Sequence, residues 1–118
     1  MSSTSNWYGE IVRKLHLDYH QPPWMTGVAA AVTAEEARRQ ARMFREAGVR
    51  AVELFAHDHH GFCFFPTADA VGVAHPGLVE DYTGRMVAAL RAEGLRTIAY
   101  MNVFTNVRLK ETHPELAR

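Results

Sequence analysis

Apolar and polar positions divide the chain into alternating strand-like and helix-like stretches. Residues 7–16, WYGEIVRKLH, read as a short helix or turn leading into a strand. Residues 15–20, LHLDYH, alternate with the two-residue period of a strand. Pro22 and Pro23 end that pairing because proline brings no amide hydrogen to a ladder, so residues 21–32 are expected as a loop. The next stretch, 34–48, sets Ala37, Ala41, Phe44 and Ala47 on one helical face. Thr33 and Glu36 form a capping box before it, and Gly48 is its stop. VRAVELFAHD, 49–58, is a second strand. Residues 75–94 hold a second helix, with Pro76 near its start, Gly94 as its stop, and a buried stripe of Leu78 or Val79, Tyr82, Met86, Ala89 and Leu90. LRTIAYMNV, 95–103, is a third strand. THPELAR opens a third helix, with Thr112 as N-cap and Pro114 in the first turn. Residues 1–6 are expected to be disordered.

The order is β-α-β-α-β-α. Each helix ends in a glycine followed by an apolar and a basic residue before an apolar strand, which suggests a repeated unit of roughly 45 residues. Alternating strands and helices imply an α/β fold with parallel strands and right-handed crossovers. No G-x-G-x-x-G follows the first strand, which weakens the dinucleotide-binding reading of a doubly wound sheet. The chain stops at Arg118, about one turn into its last expected helix. The expectation is therefore that residues 7–118 are the N-terminal part, about three strands, of a (β/α)8 TIM-type barrel cut short. Such a piece leaves a strand edge open, so remaining barrel strands or self-association are expected as partners.

Composition narrows the function classes. Thirteen basic and thirteen acidic side chains cancel, which leaves no electrostatic footprint for nucleic acid or an anionic membrane. MSSTSNWYGE has no basic and then apolar signal pattern, and no apolar run approaches the roughly 20 residues that span a bilayer. Cys63 is the only cysteine, so an intrachain disulfide and a thiolate metal cluster are both excluded. A reducing, cytoplasmic location is expected.

Chemistry in parallel α/β proteins gathers at the carboxyl ends of the strands. The three strand ends here bring Asp18 and His20, then His57, Asp58, His59 and His60, then Tyr100 and Asn102. Three imidazoles and a carboxylate in a row suit a metal site, a sugar site or a catalytic dyad. HLDYH and HDHH carry enough ligands for zinc or manganese, but their spacing matches no metal signature, and no metal or other cofactor is expected. A non-catalytic scaffold barrel is a further alternative. His75 and His113, each before a proline, are expected to shape helix starts. The long segment from His59 to Gly77 exceeds ordinary βα loops, and its TADAVGVAHP part is expected to return over the strand ends.

Taken together, HLDYH, AVELFAHDHHGFCFFPT, HPGLVEDYTGRMVAALRAEGLRTIAYMNV and THPEL resemble the start of the barrel domain of the family named hypothetical glycosyl hydrolase 6. That family is similar to the α-L-fucosidases and to barrels found beside β-galactosidase-type trimerisation domains. The likeness runs from about Trp7 to Arg118. The α-L-fucosidases carry K-H-H-D-G-F at a similar place, where the histidines hold sugar hydroxyls. Aligned on Gly61 and Phe62, Asp58 and His59 fall on the two histidine positions; His59 matches in type, and Asp58 and His60 depart. The first-strand histidine of the fucosidases corresponds to His20. The resemblance thus implies a carbohydrate substrate held by Asp18, His20, Asp58, His59, His60, Tyr100 and Asn102. It implies no fucose specificity. It sets the carboxylate nucleophile on a later strand, beyond Arg118, so the catalytic residues stay unknown and the chain alone is expected to be inactive. Retaining glycosidases need two carboxyl groups about 5–5.5 Å apart, and Asp18 and Asp58 are the only acids at strand ends here. Imidazole with carboxylate satisfies vicinal hydroxyls as donor and acceptor, and Phe62 or Trp24 is a candidate to stack on a sugar's apolar face.

Overall fold

The structure, a computed structural model, describes residues 6–67, 72–102 and 105–116. A short helix α1 (Trp7–Glu10) precedes strand β1 (Lys14–His16). A 3-10 turn (Val28–Ala31) and helix α2 (Ala34–Glu46) lead to β2 (Ala51–His57). Two short strands follow, β3 (Phe62–Cys63) and β4 (Val73–Ala74), then α3 (Tyr82–Ala92), β5 (Arg96–Met101), α4 (Val107–Thr112) and a final 3-10 turn (Pro114–Leu116). β1, β2 and β5 run parallel, with β2 in the middle. Neighbours in space are therefore neighbours in the β-α-β-α-β order. The strand order does not reverse, so these strands hold no switch point of the kind that binds dinucleotides.

Both crossover helices cover one face. Ala37 and Ala41 of α2 and Tyr82, Met86, Ala89 and Leu90 of α3 are buried with Leu17, Val52 and Leu54 in one core. Small alanines on α2 let it lie close to α3, against which it packs. The expected stripe of α3 is thus present, with Leu78 packed on the core and Val79 left 64% exposed. Ala47, expected on the inner face of α2, is exposed, because the helix has already ended and Ala47 is its C-cap. Both helices close the same way. Val49 donates to the Phe44 carbonyl (3.0 Å) and Leu95 to the Leu90 carbonyl (2.9 Å), with Gly48 and Gly94 at φ 81° and 77°. Side chains with a Cβ resist that left-handed conformation, so the glycines fix where each strand begins.

Several local expectations change. The capping box is half present: Thr33 Oγ1 accepts from the Glu36 amide, but the Glu36 carboxylate turns to Arg39 (2.6 and 2.8 Å) and Gln40 (2.9 Å). Those bonds hold the Glu36 carboxyl down at about 2. Glu80, from the segment before α3, caps the Ala34 amide instead (2.9 Å). Helix α3 starts at Tyr82 rather than near Pro76, because Asp81 accepts from Gly84 N (2.8 Å) and serves as its N-cap. Thr112 ends a helix rather than opening one. Asn106 caps α4 through Leu109 N (2.8 Å), and Pro114 excludes the helical conformation at His113, so the chain breaks there. β1 is shorter than expected and stops at His16. The long segment after β2 carries β3 and β4, which the sequence reading leaves as loop; 68–71 of its TADAVGVAHP stretch lie outside the described residues. So do residues 1–5, while Asn6 is the N-cap of α1. Among the described residues β1 and β5 each pair along one edge only. No helix there is long and apolar enough to cross a membrane.

Tyr82 is fully buried, and its hydroxyl finds no hydrogen-bond partner among the described residues. Burial pushes its ionisation well above the ordinary tyrosine range. Replacing Tyr82 by Phe keeps the ring and removes an unsatisfied polar atom. Tyr82→Phe is therefore expected to leave the melting temperature unchanged, or to raise it by up to about 4–8 °C, the effect of about 1 kcal/mol in a small domain. A melting point several degrees lower in calorimetry would mean the hydroxyl is bonded after all.

Candidate functional site

Strand β2 sets the site. Its residues alternate, with Val52 and Leu54 toward the helices and Glu53 and Phe55 toward the opposite face, where Phe55 is itself fully buried as part of the core. On that face Glu53 meets His16 of β1 (3.5 Å), and Phe55 stacks on Tyr100 of β5, ring centroids 4.4 Å apart. Leu17 still donates to the Glu53 carbonyl (2.9 Å), after which the first chain segment leaves the sheet. Asp18 and His20 therefore sit on the loop after β1 and not within a strand. His20 folds over the sheet face, 4.7 Å from Phe55 and 6.0 Å from Tyr100.

His20 and His59 meet there, with ring centroids 4.2 Å apart, and His60 follows at 4.0 Å from His59. The His59 amide points at His20 Nδ1 (3.4 Å). An amide can only donate, so Nδ1 keeps its lone pair and Nε2 carries the proton. That proton is aimed at Asp18 Oδ1, 3.4 Å away. One tautomer thus accounts for both contacts of His20. Asp18 is 62% exposed along its side chain and His20 is 28% exposed, so both remain open to a ligand. Burial, then the neighbouring imidazoles, hold His60 below the ordinary histidine range.

Asp58 lies elsewhere than the sequence suggests. It is fully buried, and its two oxygens accept from the backbone of Gln21 (2.8 Å) and of Phe62 (3.3 Å). It presents no surface to a ligand and instead ties the loop after β1 to the loop after β2. Gln21, which the sequence reading passes over, continues the tie. It is 1% exposed, donates to the carbonyls of Met25 (3.1 Å) and Gly27 (2.8 Å), and accepts from Ala30 N (3.0 Å). A glutamine right before two prolines signals a loop in sequence; nothing there signals that the loop wraps around its side chain. His75 is a third tie. Its Nδ1 accepts from Gly77 N (3.0 Å), which leaves Nε2–H for the Pro22 carbonyl (2.9 Å).

His57 is turned away from this group. The β2–β5 register shifts between Phe55 and His57, so His57 pairs with Met101 while Phe55 pairs with Tyr100. The alternation breaks at this bulge, and His57 does not follow Phe55 onto the site face. Asn106, whose Oδ1 is taken by the Leu109 amide, points its Nδ2 at His57 Nε2 (3.3 Å). Nε2 therefore accepts, and Nδ1 carries a buried proton without a partner among the described residues. Burial depresses His57, only partly offset by Asp58.

Tyr100 and Asn102 lie beside this group, bonded to each other. Asn102 Nδ2 donates to the Tyr100 hydroxyl (3.2 Å), and its Oδ1 accepts from Thr105 N (2.9 Å). The start of α4 docks on the histidine turn, where Val107 N donates to the His59 carbonyl (2.9 Å) and Arg108 N to that of His60 (3.3 Å). Gly61, at φ 94°, permits this approach: a Cβ there would fall 2.5 Å from Arg108 Cβ and from Asn106 Oδ1. Phe64 is fully buried and Cys63 nearly so; both are packing. Among the described residues no three His, Cys, Asp or Glu side chains are arranged to hold a metal ion. His113 bonds Thr112 Oγ1 (2.9 Å) at the end of α4.

No family model and no curated protein sequence matches the chain. Solved structures do. An α-L-fucosidase isoenzyme 2 from Paenibacillus thiaminolyticus superposes with a TM-score of 0.73 at 25% identity over 87% of this chain. A GH29 α-L-fucosidase from Bacteroides thetaiotaomicron superposes with a TM-score of 0.50 at 23% identity over 75% of it, a likeness of fold alone. The chain spans 15% and 26% of the length of those two proteins. The resemblance to α-L-fucosidases seen in the sequence is thus present in the fold.

His57 and His60 are both shifted downward, so as pH falls the unfolded chain takes up these protons before the folded one does. Their contribution to stability is complete above the ordinary value of 6.5 and is lost as pH drops below it toward the folded values. Melting temperature is expected to fall between about pH 7.5 and about pH 5.5, and to fall less in His57→Gln. Equal acid sensitivity in the two proteins would remove His57 from this account.

Proposed function

We propose that this chain carries the sugar-gripping βα units of a glycoside hydrolase barrel of the α-L-fucosidase kind, with the (β/α)8 architecture. The observation that carries the reading is the meeting of His20 and His59, rings 4.2 Å apart, at the carboxyl ends of adjacent parallel strands. The likeness to a fucosidase structure at a TM-score of 0.73 supports the barrel, and sequential parallel strands with both helices on one face agree with it.

In this reading His20 and His59 bind neighbouring hydroxyls of one sugar ring. His20 turns its Nε2–H from Asp18 to a sugar oxygen, and Asp18 accepts a hydroxyl beside it. Tyr100, oriented by Asn102, presents its hydroxyl and ring from β5, backed by the buried Phe55 on which it stacks. His60 lines the rim. Asp58 is a positioning residue. It holds the backbone of both loops and so holds His20 against His59.

Bond cleavage needs two carboxyl groups flanking the glycosidic oxygen. Asp58 is consumed by amides and Glu53 lies against His16, so Asp18 is the more open of the two carboxylates left at this site among the described residues. The reading therefore assigns the nucleophile and the acid to other strands of a complete barrel, and gives this chain binding and orientation. Ligand-observed NMR with L-fucose, D-galactose and D-mannose tests it. At least one sugar is expected to bind, and His59→Ala is expected to weaken it by about 3- to 10-fold, the worth of one hydrogen bond. Affinity unchanged by both His59→Ala and His20→Ala would remove the sugar site.

A further inference from the structure

We infer that the cleft at the amino ends of the strands is a phosphoryl-binding site, in which Arg13 and Arg50 grip the phosphate of a small organic phosphate ester. It lies at the opposite end of the strands from the imidazoles and does not rest on the sugar-binding reading.

The backbone sets the two arginines side by side. Arg13 stands just before β1 and Arg50 just before β2. The Arg13 carbonyl accepts from Arg50 N (3.0 Å) and Ala51 N (3.4 Å), so the two residues sit one ladder spacing apart, about 4.8 Å. Gly48 makes room for one of them. The Arg13 guanidinium crosses it, and a Cβ there would fall 2.5 Å from Nη1. Both arginines line one open cleft of about 800 Å³, which the ends of α2 and α3 also border.

The ordinary duties of such side chains are absent here. Neither Arg13 nor Arg50 is in an ion pair among the described residues. Nor are they needed to cap the helices. Carbonyls at the end of α2 accept from Ala47, Gly48 and Val49, and those at the end of α3 from Glu93, Gly94 and Leu95. The acids of the cleft are Glu10 and Glu93, and Glu93 is taken by Arg45 (2.9 Å). Two unpaired cations therefore stand against one unpaired acid, in a chain whose charges cancel overall. An adjoining cleft of about 370 Å³ adds Arg91 and Arg96. Like charges held this close repel unless an anion joins them.

Chemistry selects the anion. A guanidinium presents a rigid fork of donors that meets phosphate oxygens in pairs. Two forks on neighbouring backbones need more acceptors than the two of a carboxylate, and a phosphate ester has three terminal oxygens. Size selects the ester. A cleft of this volume exceeds a bare phosphate and lies in the range of small-molecule sites. Ile11 and Val12 share its lining, and Val12 is 91% exposed, which gives an organic body an apolar surface.

The test titrates the 118-residue protein with phenyl phosphate, inorganic phosphate and phenol at fixed ionic strength, followed by ligand-observed NMR. Phenyl phosphate is expected to bind, inorganic phosphate to bind more weakly, and phenol not at all. Arg13→Gln and Arg50→Gln are each expected to weaken phenyl phosphate by about tenfold without lowering the melting temperature, and Arg50→Lys to recover only part of the loss. Arg38→Gln, which removes a charge on the outer face of α2, is expected to change nothing. No binding of either phosphate, affinity unchanged in both glutamine variants, or an equal loss in Arg38→Gln would overturn the site. Inorganic phosphate held as tightly as the ester would overturn the organic body.

Discussion

The arrangement depends on one buried carboxyl group. Asp58 accepts from Gln21 N in the loop after β1 and from Phe62 N in the loop after β2. Two oxygens on one carbon are needed, since an amide side chain would offer one acceptor and one donor, and both partners are donors. Removing such a group leaves two buried amides unpaired, a cost that exceeds the modest net worth of each bond. The clamp fixes backbone, not side chains. Its effect on the imidazoles is indirect: it sets where the two loops cross, and His20 and His59 are the residues next to the crossing.

The clamp is the first of a series. Gln21 is held at its amide and in turn gathers three backbone groups around its own side chain. His75 joins the same loop to the segment before α3. Glu80 then reaches the first amide of α2. Each link uses a polar side chain to satisfy backbone in a region without regular pairing, as buried loop backbone demands. The result is a rim on the parallel sheet whose loop backbone is held by buried polar side chains, as the proposed sugar site requires.

The sequence showed the framework well, because periodicity reports burial. The apolar stripes of α2 and α3, the three parallel strands and the paired glycine stops all follow from spacing. It showed the candidate site in part. Asp18, His20, His59, Tyr100 and Asn102 come together because strand ends in a parallel sheet converge. What it missed is of another kind. Asp58 and His59 look alike in a polar run, and only the tertiary crossing decides that one is swallowed by amides while the other meets His20. Gln21 and Asn106 carry no periodic signal, since their partners are backbone groups remote or local in ways that spacing does not encode. The start of α4 is hidden in the sequence because a threonine before His-Pro resembles a cap, while the true cap is an asparagine six residues earlier.

The bulge between Phe55 and His57 acts as a change of phase in the strand. Upstream of it, parity assigns residues to one face or the other; just past it, His57 goes to Asn106 instead. A histidine-rich run can therefore serve two compartments at once, one imidazole fastening the outer segment at Asn106 and the next ones facing the mouth. Which histidine does which is set by chain length rather than by residue type.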